Sequence, residues 1–430
     1  MLTSEQNDRL TRVGPGTPMG DYLRRYWMPI AGVSEFEQRA TKPVRLLGED
    51  LVLYRDLSGN YGLIGRQCAH RRADLSYGMV EAEGLRCNYH GWLFDAHGQC
   101  IQQPYEDVVR GERAGVRPAL AGYPVRAHAG LLWAYLGPAP APLVPDWEPF
   151  GRANVFTQIV LAEVPCNWLQ CQENSIDPVH FEWMHENWDR RLRNGDAVAY
   201  GPTHTRLRFA EFEHGLVYQR LRADTTEAHP LWQVGRVCLW PNAFFLGEHF
   251  EWRVPIDDEN TLSVVWKSTR VPRDCEPYQQ GRIPTWTGPV FDDQGRMITT
   301  HVMNQDFVGW VGQGRITDRT REHLGASDQG IVMMRRRLLA ELEHVAQGGE
   351  PMSLIRDPDR NQRVALPLAY PESAQEGYSR AEILADPYKR MRFLTYMFQA
   401  GQPEWVRAEF AAAMGLEPED FQGAMRPPSV

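Results

Sequence analysis

Apolar and polar positions change rhythm about a third of the way along the chain. From Val44 to Leu63 the runs are short: VRLLGEDLVLYRD, a polar SGN, then YGLIG. Short apolar runs cut by Gly, Asn and Asp predict brief strands joined by tight turns. LFDAHGQCI repeats the pattern around one Gly, and GLLWAYLG (130–137) predicts a further strand. The stretch PAPAPLVPDWEP (138–149) is Pro-rich and reads as a linker. Beyond it NVFTQIVLAEVP predicts a strand, and NWLQCQENSIDPVHFEWMHENW a helix interrupted at its Pro. HFEWRVPI and TLSVVWKSTRV alternate about the polar DDEN, which predicts a hairpin. Trp252, Val254 and Ile256 then share one face and meet Leu262, Val264 and Trp266. SDQGIVMMRRRLLAELEHV (327–345) carries an Asp start signal and helical spacing, and the last stretch also reads as mostly helical. The chain therefore divides into residues 1–40, a segment packing on the second unit; 41–145, an all-β unit; and 146–430, an α+β unit.

A length of 430 residues suits about two domains. With 43% hydrophobic and 23% charged residues the profile is that of a globular protein in water. No window approaches the roughly 18 apolar residues of a membrane span, so no membrane is expected. The net charge is −9 and there is no Lys/Arg-rich arm, which argues against nucleic acid as a partner. The first twenty residues lack the apolar core of a signal peptide, and a cytoplasmic location is expected. Seven cysteines, odd and sparse, point to thiols or metal ligands rather than a disulfide framework.

CAHRRADLSYGMVEAEGLRCNYHGW, which opens at Cys68, holds C-x-H, sixteen residues, then C-x-x-H. Cys68, His70, Cys87 and His90 are a donor set for zinc or an iron–sulfur centre. A common zinc finger takes its Cys pair from one cluster and its His pair from the other. Here each loop supplies one of each, as in a Rieske [2Fe–2S] centre, where two Cys hold one iron and two His the other. Neutral imidazoles in place of two thiolates raise the potential and make a one-electron relay. Arg71 and Arg72 beside the cluster suit nearby structure, docking or a solvated loop alike. Further on, QENSIDPVHFEWMHEN (172–187) places His180 and His185 five apart. On a regular helix such a pair diverges by ~140°, so both rings reach one ion only if the helix bulges or ends between them. Two imidazoles and one carboxylate would leave positions open on Fe(II). Spacing alone does not select the carboxylate among Asp306, Asp318, Glu322 and Asp328.

The run from Cys68 to Asp95, with Tyr-His-Gly-Trp at 89–92, resembles the signature of Rieske non-heme iron aromatic ring-hydroxylating oxygenases, α (oxygenase) subunit. E-N-x-x-D-x-x-H-x-x-x-x-H resembles their mononuclear iron motif, and NQDFVGWVGQGRITDRTREHLGASDQG their phthalate-dioxygenase-like branch, which includes aromatic O-demethylases. The resemblance runs from TRVGPGTPMGDYLRRYWMPI to the helix after Asp328. It implies an α+β fold: an all-β Rieske domain, then a helix-grip-like antiparallel-sheet catalytic domain with C-terminal helices. It implies His180, His185 and Asp306 as iron ligands. Asp177 becomes the catalytic link, hydrogen-bonded to His180 and to His90 of the partner subunit. It further implies a homotrimer or stacked hexamer. There is no GxGxxG after a strand and no plant-type ferredoxin run, so NADH is expected to act through a separate reductase, with or without a ferredoxin.

The expected activity is that of a terminal oxygenase using O₂ to hydroxylate or O-demethylate a carboxylated or methoxylated aromatic. The alternatives are ring cis-dihydroxylation of the phthalate type, a Rieske electron-transfer protein without an active site, and a structural zinc protein. Trp232, Phe244, Phe245 and Phe250 are candidates to pack on a substrate ring. Arg206, Arg208, Arg236 and Arg253 are candidates to hold its carboxylate.

Overall fold

The computed structural model describes residues 2–110, 117–195, 199–370, 377–386, 389–390, 393, 399–417 and 420. Of the C-terminal stretch expected to be helical, Arg380–Ala385 and Glu404–Met414 are helices, and residues 421–430 lie outside the described residues.

Three small antiparallel sheets build the first half. Thr41–Leu46, Glu49–Arg55, Tyr61–Gly65 and Gly122–Tyr123 form one. Met79–Glu81, Gly84–Arg86, Leu93–Phe94 and Cys100–Gln102 form a second. Met28–Gly32, Leu131–Ala134 and Val125–His128 form a third, which leans on the second half. Trp133 meets Trp252 edge-on at 5.2 Å, and the Leu47 and Gly48 amides donate to Pro255 and Ile256 across the join. One apolar core therefore includes Leu46, Leu51 and Leu63 of the first half and Trp252 and Trp266 of the second.

The second half is an eight-stranded sheet, antiparallel except where Thr285–Thr287 runs parallel to Val155–Val164. The hairpin pairs as its alternation predicts, with Trp252 opposite Val264 and Val254 opposite Leu262. Val155–Val164 is buried on both faces. Ile159 and Leu161 join the large core, while Phe156, Val160 and Ala162 pack on the C-terminal helices. That is why IVLA (159–162) is an unbroken apolar run rather than an alternating one. Met334, Leu338 and Leu342, four apart, seat the helix Gln329–Ala346 on the sheet. Asp328 occupies its N-cap position, but its carboxylate accepts from the Gly325 amide at 2.6 Å and caps no helical N–H. None of the described helices is long and apolar enough to cross a membrane.

Candidate active site

The two Cys–His loops have one hydrogen-bond frame. In each, the cysteine amide donates to the carbonyl five residues on, Cys68 to Ala73 and Cys87 to Trp92, both at 2.8 Å. In each, the cysteine carbonyl accepts from the amide four residues on, that of Arg72 at 2.9 Å and of Gly91 at 3.0 Å. Those fourth residues carry positive φ, +63° and +75°, which closes the turn; glycine takes this conformation freely and arginine only under constraint. Both sulfurs are buried. The His70 ring lies 4.6 Å from His90 and stacks at 9° on Trp92, and its Nδ1 is buried without a partner. His90 is exposed. Burial pushes the Cys68 thiol up to about 11; the His70 amide opposes this, and Cys87 adds to it. A buried thiol so raised ionises readily once a metal cation is beside it. A single tetrahedral zinc brings its donors within ~4 Å of one another. Among the described residues no three of these four gather within 4.8 Å, so the set fits a two-iron cluster better. Arg71 lies over the Tyr89 ring at 5.7 Å, and Arg72 is exposed.

The second donor set gathers. Atoms of His180, His185 and Asp306 all lie within 4.8 Å of one another. Asp306 Oδ1 is 3.2 Å from His185 Nε2 and 3.7 Å from His180 Nε2. The i,i+5 pair converges because Trp183–Trp188 winds as a π-helix. Asp306 arrives on the helix Val302–Val311 and accepts from Asn174 Nδ2 at 3.3 Å. Burial lowers the pKa of His185, but Asp306 and then Gln305 outweigh it and the net shift is upward. His185 Nε2 is buried without a hydrogen bond, as a nitrogen kept for a metal would be. Two imidazoles and one carboxylate gathered in this way suit ferrous iron.

Asp177 Oδ1 accepts from the Val179 amide at 2.8 Å. Its Oδ2 stands 3.7 Å from His180 Nδ1, beyond hydrogen-bond length within one chain. Burial raises the Asp177 pKa, but His180 and two backbone amides pull it below the usual carboxylate range.

A cavity of about 760 Å³ opens on this donor set. Phe244 and Phe245, themselves core residues, also line it; Phe250 of the same core does not, and Trp232 is covered by Arg206 and Arg208 at 4.6 and 4.7 Å. Of the four arginines named from sequence, only Arg236 lines the cavity. Arg206 pairs with Glu227, Arg208 with Gln219, and Arg253 is fully buried against Glu251. The strongest cationic feature went unnamed. Arg220 is buried on the cavity wall, its guanidinium 4.8 Å from the Phe181 ring, with Arg236 on the same ring at 4.3 Å. Burial, then repulsion from Arg236, push its pKa down to about 10. Leu216, Tyr218 and Arg220 are in phase on the strand Gly215–Arg222, so an arginine on the inward phase was the signal available.

Comparison with known proteins agrees with this architecture. Residues 26–117 match the Rieske [2Fe-2S] domain, and residues 293–364 match the LigXa C-terminal domain like family. The chain is 59% identical to the 5,5'-dehydrodivanillate O-demethylase oxygenase subunit of Sphingobium sp. (strain NBRC 103272 / SYK-6), over 94% of this chain and 95% of that one. It is 31% identical to the phthalate 4,5-dioxygenase oxygenase subunit of Pseudomonas putida, over 81% and 88%. The structure of Pseudomonas putida CBB5 NdmA with caffeine matches in fold, with a TM-score of 0.56 at 20% identity over 79% of this chain and 98% of that one. The chain belongs to the Rieske-type non-heme iron oxygenases. It is an oxygenase subunit of that family, with a [2Fe–2S] cluster and a mononuclear iron as cofactors, and the electron-carrier and structural-zinc alternatives are set aside.

Proposed function

We propose that this oxygenase removes the methyl group of a methoxylated aromatic carboxylate. Cys68, His70, Cys87 and His90 hold the cluster, and His180, His185 and Asp306 the mononuclear iron. The observation that carries the reading is that these last three share one cavity with the buried Arg220 and with Arg236, beside Phe244 and Phe245. The 59% relative, an O-demethylase by name, supports the reaction class. Among relatives, phthalate 4,5-dioxygenase and phenoxybenzoate dioxygenase act on carboxylates by name. A buried guanidinium facing a cavity is the complement such a group needs.

When bound, the two iron centres supply one-electron transfer and the reduction of O₂. The residues do the rest. Arg220 fixes the carboxylate, which aims the methoxy carbon at the donor set. The apolar wall of Phe244 and Phe245 keeps bulk water off the ring. Asp177, held ionised, orients the His180 ring from its Nδ1 side and, in the assembly, reaches His90 of the partner subunit. ArOCH₃, O₂, two electrons and two protons give ArOH, formaldehyde and water. A separate reductase draws the electrons from NADH. Three observations support a homotrimer, alone or stacked as a hexamer: His90 is exposed, and Tyr89 and Trp183 leave 57% and 48% of their surface open in one chain. Seven unpaired cysteines suit the reducing cytoplasm.

The test is product analysis with 5,5'-dehydrodivanillate, a reductase and NADH. One formaldehyde per phenol released is expected. A cis-diol without formaldehyde would replace this reading with ring dioxygenation. Metal analysis of the same preparation should give about three irons and two acid-labile sulfides per chain. His180→Ala should lose about one iron while the sulfide and the visible spectrum remain.

A further inference from the structure

Arg220 is seated by the segment that carries the iron donors. Its Nη1 reaches the Pro178 carbonyl at 3.5 Å and His204 Nε2 at 3.4 Å, and its guanidinium carbon lies over the Phe181 ring at 4.8 Å. Pro178 follows Asp177, and Phe181 follows His180. Among the described residues no carboxylate pairs with Arg220, and its Nε is buried without a partner. A buried cation so placed is costly unless an anion arrives.

Behind it stands His204, the first residue of the strand His204–Phe212. Its Nδ1 and its own backbone N both lie 2.7 Å from Glu182 Oε2, and Glu182 belongs to the helical turn His180–Glu182. Both side chains are almost fully buried, at 5% and 4% exposure, so the pair is fixed by packing. The proton positions follow from the partners. A carboxylate only accepts, so Nδ1 carries the hydrogen toward Glu182. A guanidinium only donates, so Nε2 must offer its lone pair to Arg220. The ring is therefore neutral. Its pKa is lowered accordingly: burial lowers it, Glu182 opposes, and the charges of Arg220 and Arg222 lower it further.

We propose that Glu182 and His204 form a buried dyad that positions Arg220, and that this dyad sets how tightly the cavity grips a substrate carboxylate. Glu182 orients the imidazole; the imidazole presents one acceptor; that acceptor holds one guanidinium arm, Nη1, and leaves the other, Nη2, for the ligand. His204 touches no substrate and is a positioning residue. The inference rests on the carboxylate reading of the cavity proposed above.

The test uses the full oxygenase with reductase and NADH, and two probes: 5,5'-dehydrodivanillate as the free dicarboxylate, and its dimethyl ester, which keeps the rings and methoxyls but removes both carboxylate charges. Cluster spectrum and iron content are checked for each variant. Arg220→Gln is expected to raise KM for the anion at least about 10-fold, the size of a lost hydrogen bond to a charged group. It should leave the ester nearly unchanged. His204→Ala should raise KM for the anion by about 10-fold, with kcat and the ester's KM within about twofold. His204→Gln, whose amide offers one donor and one acceptor, should recover most of that loss. An unchanged anion KM in Arg220→Gln would remove the carboxylate reading itself. If Arg220→Gln has its effect but His204→Ala does not, or if His204→Ala weakens anion and ester alike, the dyad is refuted. Gln at position 204 performing as badly as Ala would refute it too.

Discussion

At the scale of single residues, the iron site depends on how its ligands are held. Gln305 Oε1 lies 3.0 Å from His185 Nδ1, while its Nε2 faces Asp189 Oδ1 at 2.8 Å and the Thr299 carbonyl at 3.2 Å. Both of those oxygens only accept, so the amide cannot flip, and His185 donates from Nδ1 and keeps the Nε2 lone pair for metal. Gln305→Glu would set two carboxylates face to face, and Fe(II) affinity should fall about 10- to 100-fold. Adding Asp189→Asn restores a donor in the reverse direction and should recover most of the affinity. Anaerobic titration of iron-depleted protein with Fe(II) measures both. Gln305 was legible from sequence only as the neighbour of Asp306. Its partner Asp189 sits 116 positions away, and no local pattern announces such a pair.

At the scale of elements, the helix Trp168–Asn174 shows how a polar sequence becomes an interior one. Asn167, Gln170, Gln172 and Glu173 are all buried. Gln170 serves the Trp310 and Gly314 carbonyls, and Gln172 that of Ala243. Glu173 receives Arg319 through two nitrogens and Arg335 through one, and Arg335 reaches on to Glu322. This ties the helix that carries Asn174 to the loop before Gln329 and to the helix after it. Glu173→Gln leaves two guanidiniums short of a charge in the interior and should destabilise by about 3–5 kcal/mol, read from urea unfolding. The pH dependence follows from the same contacts. Burial raises the Glu173 pKa, but Arg319 and Arg335 hold it below the ordinary 4.5. Its contribution is present above 4.5 and is lost as pH falls through the depressed folded value. Acidification below that point should lower the wild-type Tm more steeply than that of Glu173→Gln. The hairpin, the β-runs and the long helix were all readable from periodicity, because each buries one face against a neighbour. The wide turn at Trp183–Trp188 was readable as a requirement, since two histidines five apart cannot otherwise meet.

At the scale of the whole molecule, the question is where the electron crosses. Within one chain Asp177 falls short of His180 by ordinary hydrogen-bond length, and His90 is exposed. Both facts suit a bridge completed between chains. Asp177→Asn should keep the cluster's visible spectrum and abolish turnover. Cys87→Ser should abolish the cluster and turnover while the mononuclear site still binds iron. Each homo-oligomer is then inactive. Co-expressed, the two chains should regain partial activity, because the intact Asp177 of one meets the intact cluster of the other. Mixed oligomers with no activity would place the transfer within a chain.

The sequence by itself determined the donor chemistry and the order of the elements. Cys–His spacing in two loops, the strand alternation and the EN-x-x-D-x-x-H-x-x-x-x-H run are local, and local geometry follows from near neighbours in the chain. Tertiary structure brought Asp306, which spacing alone left among several and the family resemblance singled out, beside His180 and His185, and it put Arg220 rather than Arg206, Arg208 or Arg253 on the cavity wall, with no carboxylate partner among the described residues. It also decided that Gln305 meets His185, and that His204 stands between Glu182 and Arg220. Those outcomes depend on which distant segments share one buried space, and burial there, not residue type, sets charge, tautomer and partner.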